Sequence, residues 1–227
     1  MQYALLSVLF IFGSIVVQEK KNPEPKPDPS LVRVEDVAGL PRVLIIGDSI
    51  SMGYTLPVRK LLKDKANVHR IPENGGPTTN GIAKLDKWLT VNGSRHWDVI
   101  HFNWGLHDLK VTANGHQVSQ EVYEKNLRQL VKQLQATGAR LIWATTTPVP
   151  EGKLSPPRKT EDVLQYNAIA HKIMMEEGVT INDLYAACLP ELKNWQRPVN
   201  VHFTEKGSQA LAEIIAGKIK EELNRKP

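Results

Sequence analysis

Cysteine is nearly absent from this chain of 227 residues, where Cys188 stands alone. A single thiol excludes an intramolecular disulfide and any zinc site built on cysteine pairs. No Gly-Lys-Ser/Thr run follows a glycine-rich loop, so the P-loop nucleotide-binding class falls away too. The surplus of +5 comes from Lys and Arg scattered singly or in pairs, with no arginine stripe and no interleaving with aromatics. That scatter reads as a solvated surface and argues against a nucleic-acid partner. The histidines between His96 and His116 match no common ligand spacing, so neither a metal nor another cofactor is expected.

What is present suits one large globular unit: 41% hydrophobic and 23% charged residues are enough for a full core. The chain opens on "MQYALLSVLFIFGSIVV", whose apolar run from Tyr3 to Val17 is followed by "QEKKNPEPKPDPS". A run of about 15 residues is short for a bilayer span and suits a secretory signal or an N-terminal anchor over residues 1–17. Export, to a secreted or periplasmic location, is the expectation. Residues 18–36 alternate proline with charge, which favours extended conformations and reads as a linker. The folded domain is expected over residues 37–227.

From Pro41 on, short apolar runs alternate with amphipathic stretches, the pattern of a parallel sheet with helices on both faces. Strands are predicted at Arg42–Gly47, Asn67–Ile71, Asp98–Trp104, Ala139–Thr145 and Val179–Asn182. Helices are predicted at Met52–Lys65, Thr79–Thr90, Ser119–Thr137, Thr160–Glu177 and Glu205–Arg225. Five strands with right-handed crossovers give a flavodoxin-like order, and ligands in such α/β sheets sit at the carboxyl edge of the strands.

The unusual loops gather at that edge. "VLIIGDSISMGY" runs a buried strand into a tight turn at Gly47-Asp48-Ser49. A serine hydroxyl is a poor nucleophile until a base takes its proton, and histidine is the side chain best suited by pKa. Among the seven histidines, His202 in "VNVHFTEKG" is best placed, just before the last helix, where a loop can return across the sheet. The glycine-rich "NGGPT" offers backbone N–H groups for an oxyanion. Asp48 and Asp108 read as braces of their turns. Of the five tryptophans, Trp104 sits on a rim loop, where it could stack on a sugar.

These blocks resemble the SGNH, or GDSL-type, esterase and lipase superfamily, whose members share a three-layer α/β/α fold. "GDSI" matches the nucleophile block and implies Ser49 as nucleophile. "GGPTTNG" resembles the second block and implies an oxyanion role for the Gly76 N–H beside that of Ser49. "GLHDL" lines up with a Gly-x-Asn-Asp block, with His107 where the oxyanion Asn is expected; Asn103, four residues earlier, is the other source of that donor. "VNVHFT" matches the final block at His202, but Val199 stands where the family has Asp three residues before the His. Asn200, a main-chain carbonyl, or a distant carboxylate such as Asp183 must then orient the imidazole.

The resemblance implies a serine esterase working through a Ser-His dyad or triad on a small-molecule or polysaccharide ester, with short acyl groups such as acetyl favoured. Lysophospholipase or thioesterase chemistry is the nearest alternative. A flavodoxin-like binder of a flavin phosphate and a weakened relative that only binds carbohydrate are the non-enzymatic rivals. The N-terminal run is the one membrane contact expected.

Overall fold

The computed structural model describes residues 27–225, so the apolar run at 1–17 and most of the expected linker lie outside the described residues. In chain order the elements are β1 (Arg42–Ile46), α1 (Ser49–Leu61), β2 (Asn67–Arg70), α2 (Thr78–Leu89) and β3 (Val99–Phe102). A two-stranded hairpin, β4 (Val111–Thr112) and β5 (Gly115–His116), precedes α3 (Gln120–Gln135), β6 (Arg140–Ala144), α4 (Thr160–Glu176) and β7 (Thr180–Asn182). Two short helices, α5 (Leu184–Cys188) and α6 (Leu192–Trp195), lead to the long α7 (Glu205–Asn224).

The sheet runs β2-β1-β3-β6-β7, with every pairing parallel. Both faces of such a sheet are covered, which is why β1 is a continuous aliphatic run: Val43, Leu44, Ile45 and Ile46 are all fully buried. Helix α1 packs along α7, while α2, α3 and α4 pack in succession, so three layers result. The chain leaves β1 for β2 on one side and returns to β3 on the other, opening a crevice at their carboxyl ends. Ser49 follows β1 into that crevice, and the 103–109 loop follows β3.

The five expected strands are all present, and the helix bounds shift by a few residues. Helix α1 begins at Ser49 instead of Met52, because the Asp48 carboxylate caps it by accepting the Ile50 N–H at 2.9 Å, and it ends at Leu61 instead of Lys65. The hairpin, α5 and α6 are too short for a periodic pattern to announce them. Trp104 is only 1% exposed and packs against Phe102, so it is a core residue and offers no stacking face.

The described part of the expected linker is docked on the domain. Asp36 pairs with Arg42 at 3.0 Å and with His69 at 2.6 Å, and the carbonyls of Val32 and Val34 accept from Arg59 and Asn92. Packing therefore begins before residue 37. Apart from a single 3-10 turn at Pro29–Leu31, capped by Asp28, the described segment forms no helix or strand, yet its carboxylate and carbonyls satisfy basic and amide groups on the domain rim.

Candidate active site

The turn that carries Ser49 is held from beneath. Arg70, buried at the end of β2, donates through Nη2 to the Gly47 carbonyl (2.9 Å), the Asp48 carbonyl (2.9 Å) and Ser51 Oγ (2.7 Å), and through Nη1 to the carbonyls of Ile71 and Glu73. Gly75 also donates its N–H to the Gly47 carbonyl at 3.0 Å, and a Cβ on Gly75 would stand 2.9 Å from that oxygen. Only glycine permits so close an approach. Ser49 is thus the first residue of α1, and its N–H, at the positive end of the helix, has no acceptor among the described residues.

His202 arrives on the segment between α6 and α7. The Arg197 N–H donates to the His202 carbonyl at 2.9 Å, the Thr204 N–H donates to the Trp195 carbonyl at 2.7 Å, and Gln196 bridges to Phe203. This places His202 Nε2 2.9 Å from Ser49 Oγ, across 153 residues of chain. On the ring's other side, Nδ1 lies 2.8 Å from Asn200 Oδ1. The backbone N–H of His202 also points at Asn200 Oδ1, at 2.9 Å. A peptide N–H can only donate, so the atom it meets is the amide oxygen, and Nδ1 must then carry the ring proton. Nε2 is left as an acceptor facing the serine hydroxyl. Burial pushes the imidazole pKa down; Asp48 pulls it up, and Arg197 and Arg158 push it down again. The ring is therefore held neutral, as a base must be.

Asp183, the distant carboxylate considered for orienting the base, is engaged elsewhere. Its Oδ1 caps α5 by accepting the Ala186 N–H at 3.0 Å and also accepts from Thr145 Oγ1 at 3.1 Å. The side chain that meets Nδ1 is that of Asn200, two residues before the histidine. Val199, at φ 49°, turns the chain through the left-handed region just ahead of it.

The expected oxyanion donors separate in the same way. Asn103 donates Nδ2 to the Ala144 carbonyl at 2.7 Å and to Thr146 Oγ1 at 3.3 Å, so it ties β3 to β6 and is not free to donate beside Ser49. The Gly76 N–H, in a residue with φ 61°, donates to Asn74 Oδ1 at 3.0 Å and is likewise engaged. The two are engaged differently: Gly76 within its own turn, where a side-chain oxygen lies within reach, and Asn103 across to the neighbouring strand. His107 does line the cavity that Ser49 and His202 border. Its Nδ1 accepts from Lys110 Nζ at 2.9 Å, which leaves the neutral ring's proton on Nε2. Burial lowers its pKa, with Lys110, Arg158 and His202 adding to the effect against Asp48.

The loop bearing His107 is anchored by its neighbour. Asp108 Oδ1 accepts from the Thr78 N–H at 2.8 Å and from Thr78 Oγ1 at 2.5 Å, locking the β3 loop to the start of α2. Burial raises the Asp108 pKa to about 7. Asn74, Lys110 and Arg158 also line the Ser49 cavity, and none was singled out from sequence. Asn74 carried the one available signal, since it opens the "NGGPT" run.

Two hollows meet at the Ser49–His202 pair. One, of about 250 Å³, is bordered by His107, Lys110, Arg158 and Asn200. The other, of about 840 Å³, lies between α1 and α7 and is bordered by Met52, Leu56, Lys60, Arg197 and Gln209. Among the described residues no group of three or more His, Cys, Asp or Glu side chains could hold a metal ion.

The model of the GDSL-like lipase/acylhydrolase family matches residues 45–210. No curated protein matches the chain. Among solved structures, the acetyl xylan esterase AlAXEase superposes with a TM-score of 0.66 at 20% identity, over 78% of this chain and 99% of its own. A lipase/acylhydrolase from Enterococcus faecalis gives 0.67 at 20% identity, over 83% and 100%. Axe2, an acetylxylan esterase from Geobacillus stearothermophilus, gives 0.62 at 20% identity, over 82% and 95%. At such identities the likeness is one of fold.

Proposed function

The chain belongs to the GDSL-like lipase/acylhydrolase family and is a carboxylic ester hydrolase, and from that premise we propose that Ser49, His202 and Asn200 form its catalytic triad, acting on short acyl esters of a carbohydrate. The observation that carries this reading is the 2.9 Å contact between Ser49 Oγ and a His202 Nε2 that can only accept. Ser49 Oγ attacks the ester carbonyl as its proton passes to His202 Nε2. The tetrahedral oxyanion is met by the Ser49 N–H and the His107 Nε2–H, with the dipole of α1 behind them. His202 then protonates the departing alkoxide, leaving an acyl-serine. Water attacks that ester, giving its proton to His202, and the carboxylic acid leaves as Ser49 Oγ recovers the proton.

Asn200 holds the productive tautomer through a neutral oxygen. It supplies orientation without the negative charge that a carboxylate would place behind the imidazolium. Asn74 Nδ2, which makes no hydrogen bond among the described residues, is a further donor at the same cavity.

Support for a short acyl group on a sugar comes from the lining: charged and amide side chains border both hollows and suit a hydrated alcohol. The acetyl xylan esterases among the structural neighbours are consistent with it. A second reading, a longer acyl chain as in a lysophospholipase or thioesterase, is favoured by Met52, Pro57 and the 43%-exposed Leu56 in the larger hollow. Export rests on the apolar run at residues 3–17 and belongs to the same proposal.

The test is a panel of p-nitrophenyl esters from acetyl to long chains, with acetylated xylo-oligosaccharide alongside. Acetyl turnover that exceeds the long chains and vanishes in Ser49→Ala supports the proposal. Preference for long chains selects the second reading, and turnover that survives Ser49→Ala overturns both.

A further inference from the structure

The smaller hollow beside Ser49 carries two positive charges that form no ion pair among the described residues. Lys110 and Arg158 both border it, together with His107, Asn200 and His202. No carboxylate is among the lining residues. The Lys110 ammonium has one side-chain hydrogen bond, at 2.9 Å, to the neutral His107 ring. Arg158 donates Nε to the Leu106 carbonyl at 2.9 Å and Nη1 to the Pro156 carbonyl at 3.1 Å, so the planar fork is held in place while Nη2 has no partner among the described residues. Arg42 pairs with Asp36, and Arg128 with Glu124 and Glu176, whereas Arg59 and Arg70, like Arg158, donate to main-chain carbonyls. Asp48 acts on the two cations only through space, because its carboxylate is engaged in capping α1.

Two like charges gathered in a partly buried hollow lose hydration and repel one another, a cost that no carboxylate among the described residues offsets by direct contact. Burial lowers the pKa of both groups, and the Arg158 charge lowers that of Lys110 further. Such an arrangement pre-forms a receptor for an oxyacid anion, with the guanidinium supplying direction and the ammonium a point charge.

We propose that Lys110 and Arg158 bind a carboxylate or sulfate on the alcohol part of the ester, so that the substrate class is the O-acylated acidic sugar. This rests on the Ser49–His202 reading. With an acyl group as small as acetyl, only the alcohol has room for a further anionic substituent.

The experiment has a kinetic arm and a binding arm. In the first, wild type, Arg158→Gln and Arg158→Lys hydrolyse three acetylated methyl glycosides: a glucoside, a glucuronoside and a sulfated glucoside. Wild type is expected to favour at least one anionic ester over the neutral one by about tenfold in kcat/KM at low salt, mostly through KM. High salt should erode that preference. Arg158→Gln should collapse the ratio, and Arg158→Lys should keep part of it. The glucuronoside and the sulfated sugar decide between carboxylate and sulfate.

The second arm titrates Ser49→Ala with the unacetylated methyl glucuronoside, sulfated glucoside and glucoside by calorimetry, and so works without turnover. Equal affinity for all three, or binding of none, overturns the anionic subsite even if the esters are hydrolysed. Tighter binding of an anionic sugar by an enzyme that hydrolyses no ester keeps the subsite and removes the hydrolase mechanism.

Discussion

The two halves of the proposed nucleophile–base pair are supported in contrasting ways. Ser49 sits on a turn whose carbonyls are gripped by a buried arginine, a neighbouring glycine and the first turn of a helix. His202 sits on a surface segment whose ring is oriented by one amide oxygen, two residues away, beyond a valine in the left-handed region. The nucleophile's place is therefore a property of the sheet, whereas the base's place is a property of one local turn. Disturbing the first should cost stability, and disturbing the second should cost rate.

The strongest challenge to that contrast is chemical. Ser49→Ala should lower kcat by roughly a thousandfold or more with no loss of thermal stability, since the hydroxyl packs against nothing essential. A matched melting curve beside the assay checks both halves. Next comes Arg70→Met, which removes one donor each from the Gly47 and Asp48 carbonyls and Ser51 Oγ, and the Nη1 donor from the Ile71 and Glu73 carbonyls. We expect a loss of about 3 kcal/mol in urea unfolding. A loss well under 1 kcal/mol would mean that the turn stands without its clamp.

Asn200→Ala should spare stability but reduce kcat roughly ten- to hundredfold, because the imidazole loses the acceptor that fixes its tautomer. The pH profile sharpens the point. Burial and two arginines hold His202 below its ordinary value of 6.5, so the neutral base is populated as pH rises through a lower pKa. The acid limb of kcat/KM should therefore have its midpoint below 6.5. Asn200→Asp places a negative charge against Nδ1–H and favours imidazolium, so the limb should move to higher pH. A limb that stays put in that variant would show that residue 200 is not behind the titrating ring.

The smallest effect belongs to Val199→Gly. It relieves a β-branched residue at φ 49° while adding freedom to the unfolded chain, for a net gain of about 0.5 kcal/mol. Differential scanning calorimetry should resolve its sign.

The sheet was readable because its signals are long-ranged along the chain: five apolar runs separated by amphipathic stretches, ending at "GDS" and returning at "VNVHF". Ser49 and His202 could be paired from order and residue type alone. The groups around them could not, because their roles depend on a few tenths of an ångström. Asn103 and Gly76 carry suitable donors, and nothing in sequence reveals that Ala144 and Asn74 already accept them. Asp183 is a carboxylate near a strand end, yet it caps the short α5, an element with too few residues to leave a period. Asn200 was named among several orienting groups, and it took the Asx-type contact with its own downstream N–H to single it out. Lys110 and Arg158 looked like ordinary surface charge, since it is a three-dimensional fact that no carboxylate among the described residues pairs with them.

Asn200 has one further consequence, for electroneutrality during turnover. With aspartate in that place, the ion triplet of carboxylate, imidazolium and oxyanion would sum to a single negative charge. With a carboxamide it sums to zero, and the protonated ring must find its balance in the tetrahedral adduct itself or in whatever anion the bound alcohol brings. The fold supplies geometry at this position and leaves the balancing charge to its guest.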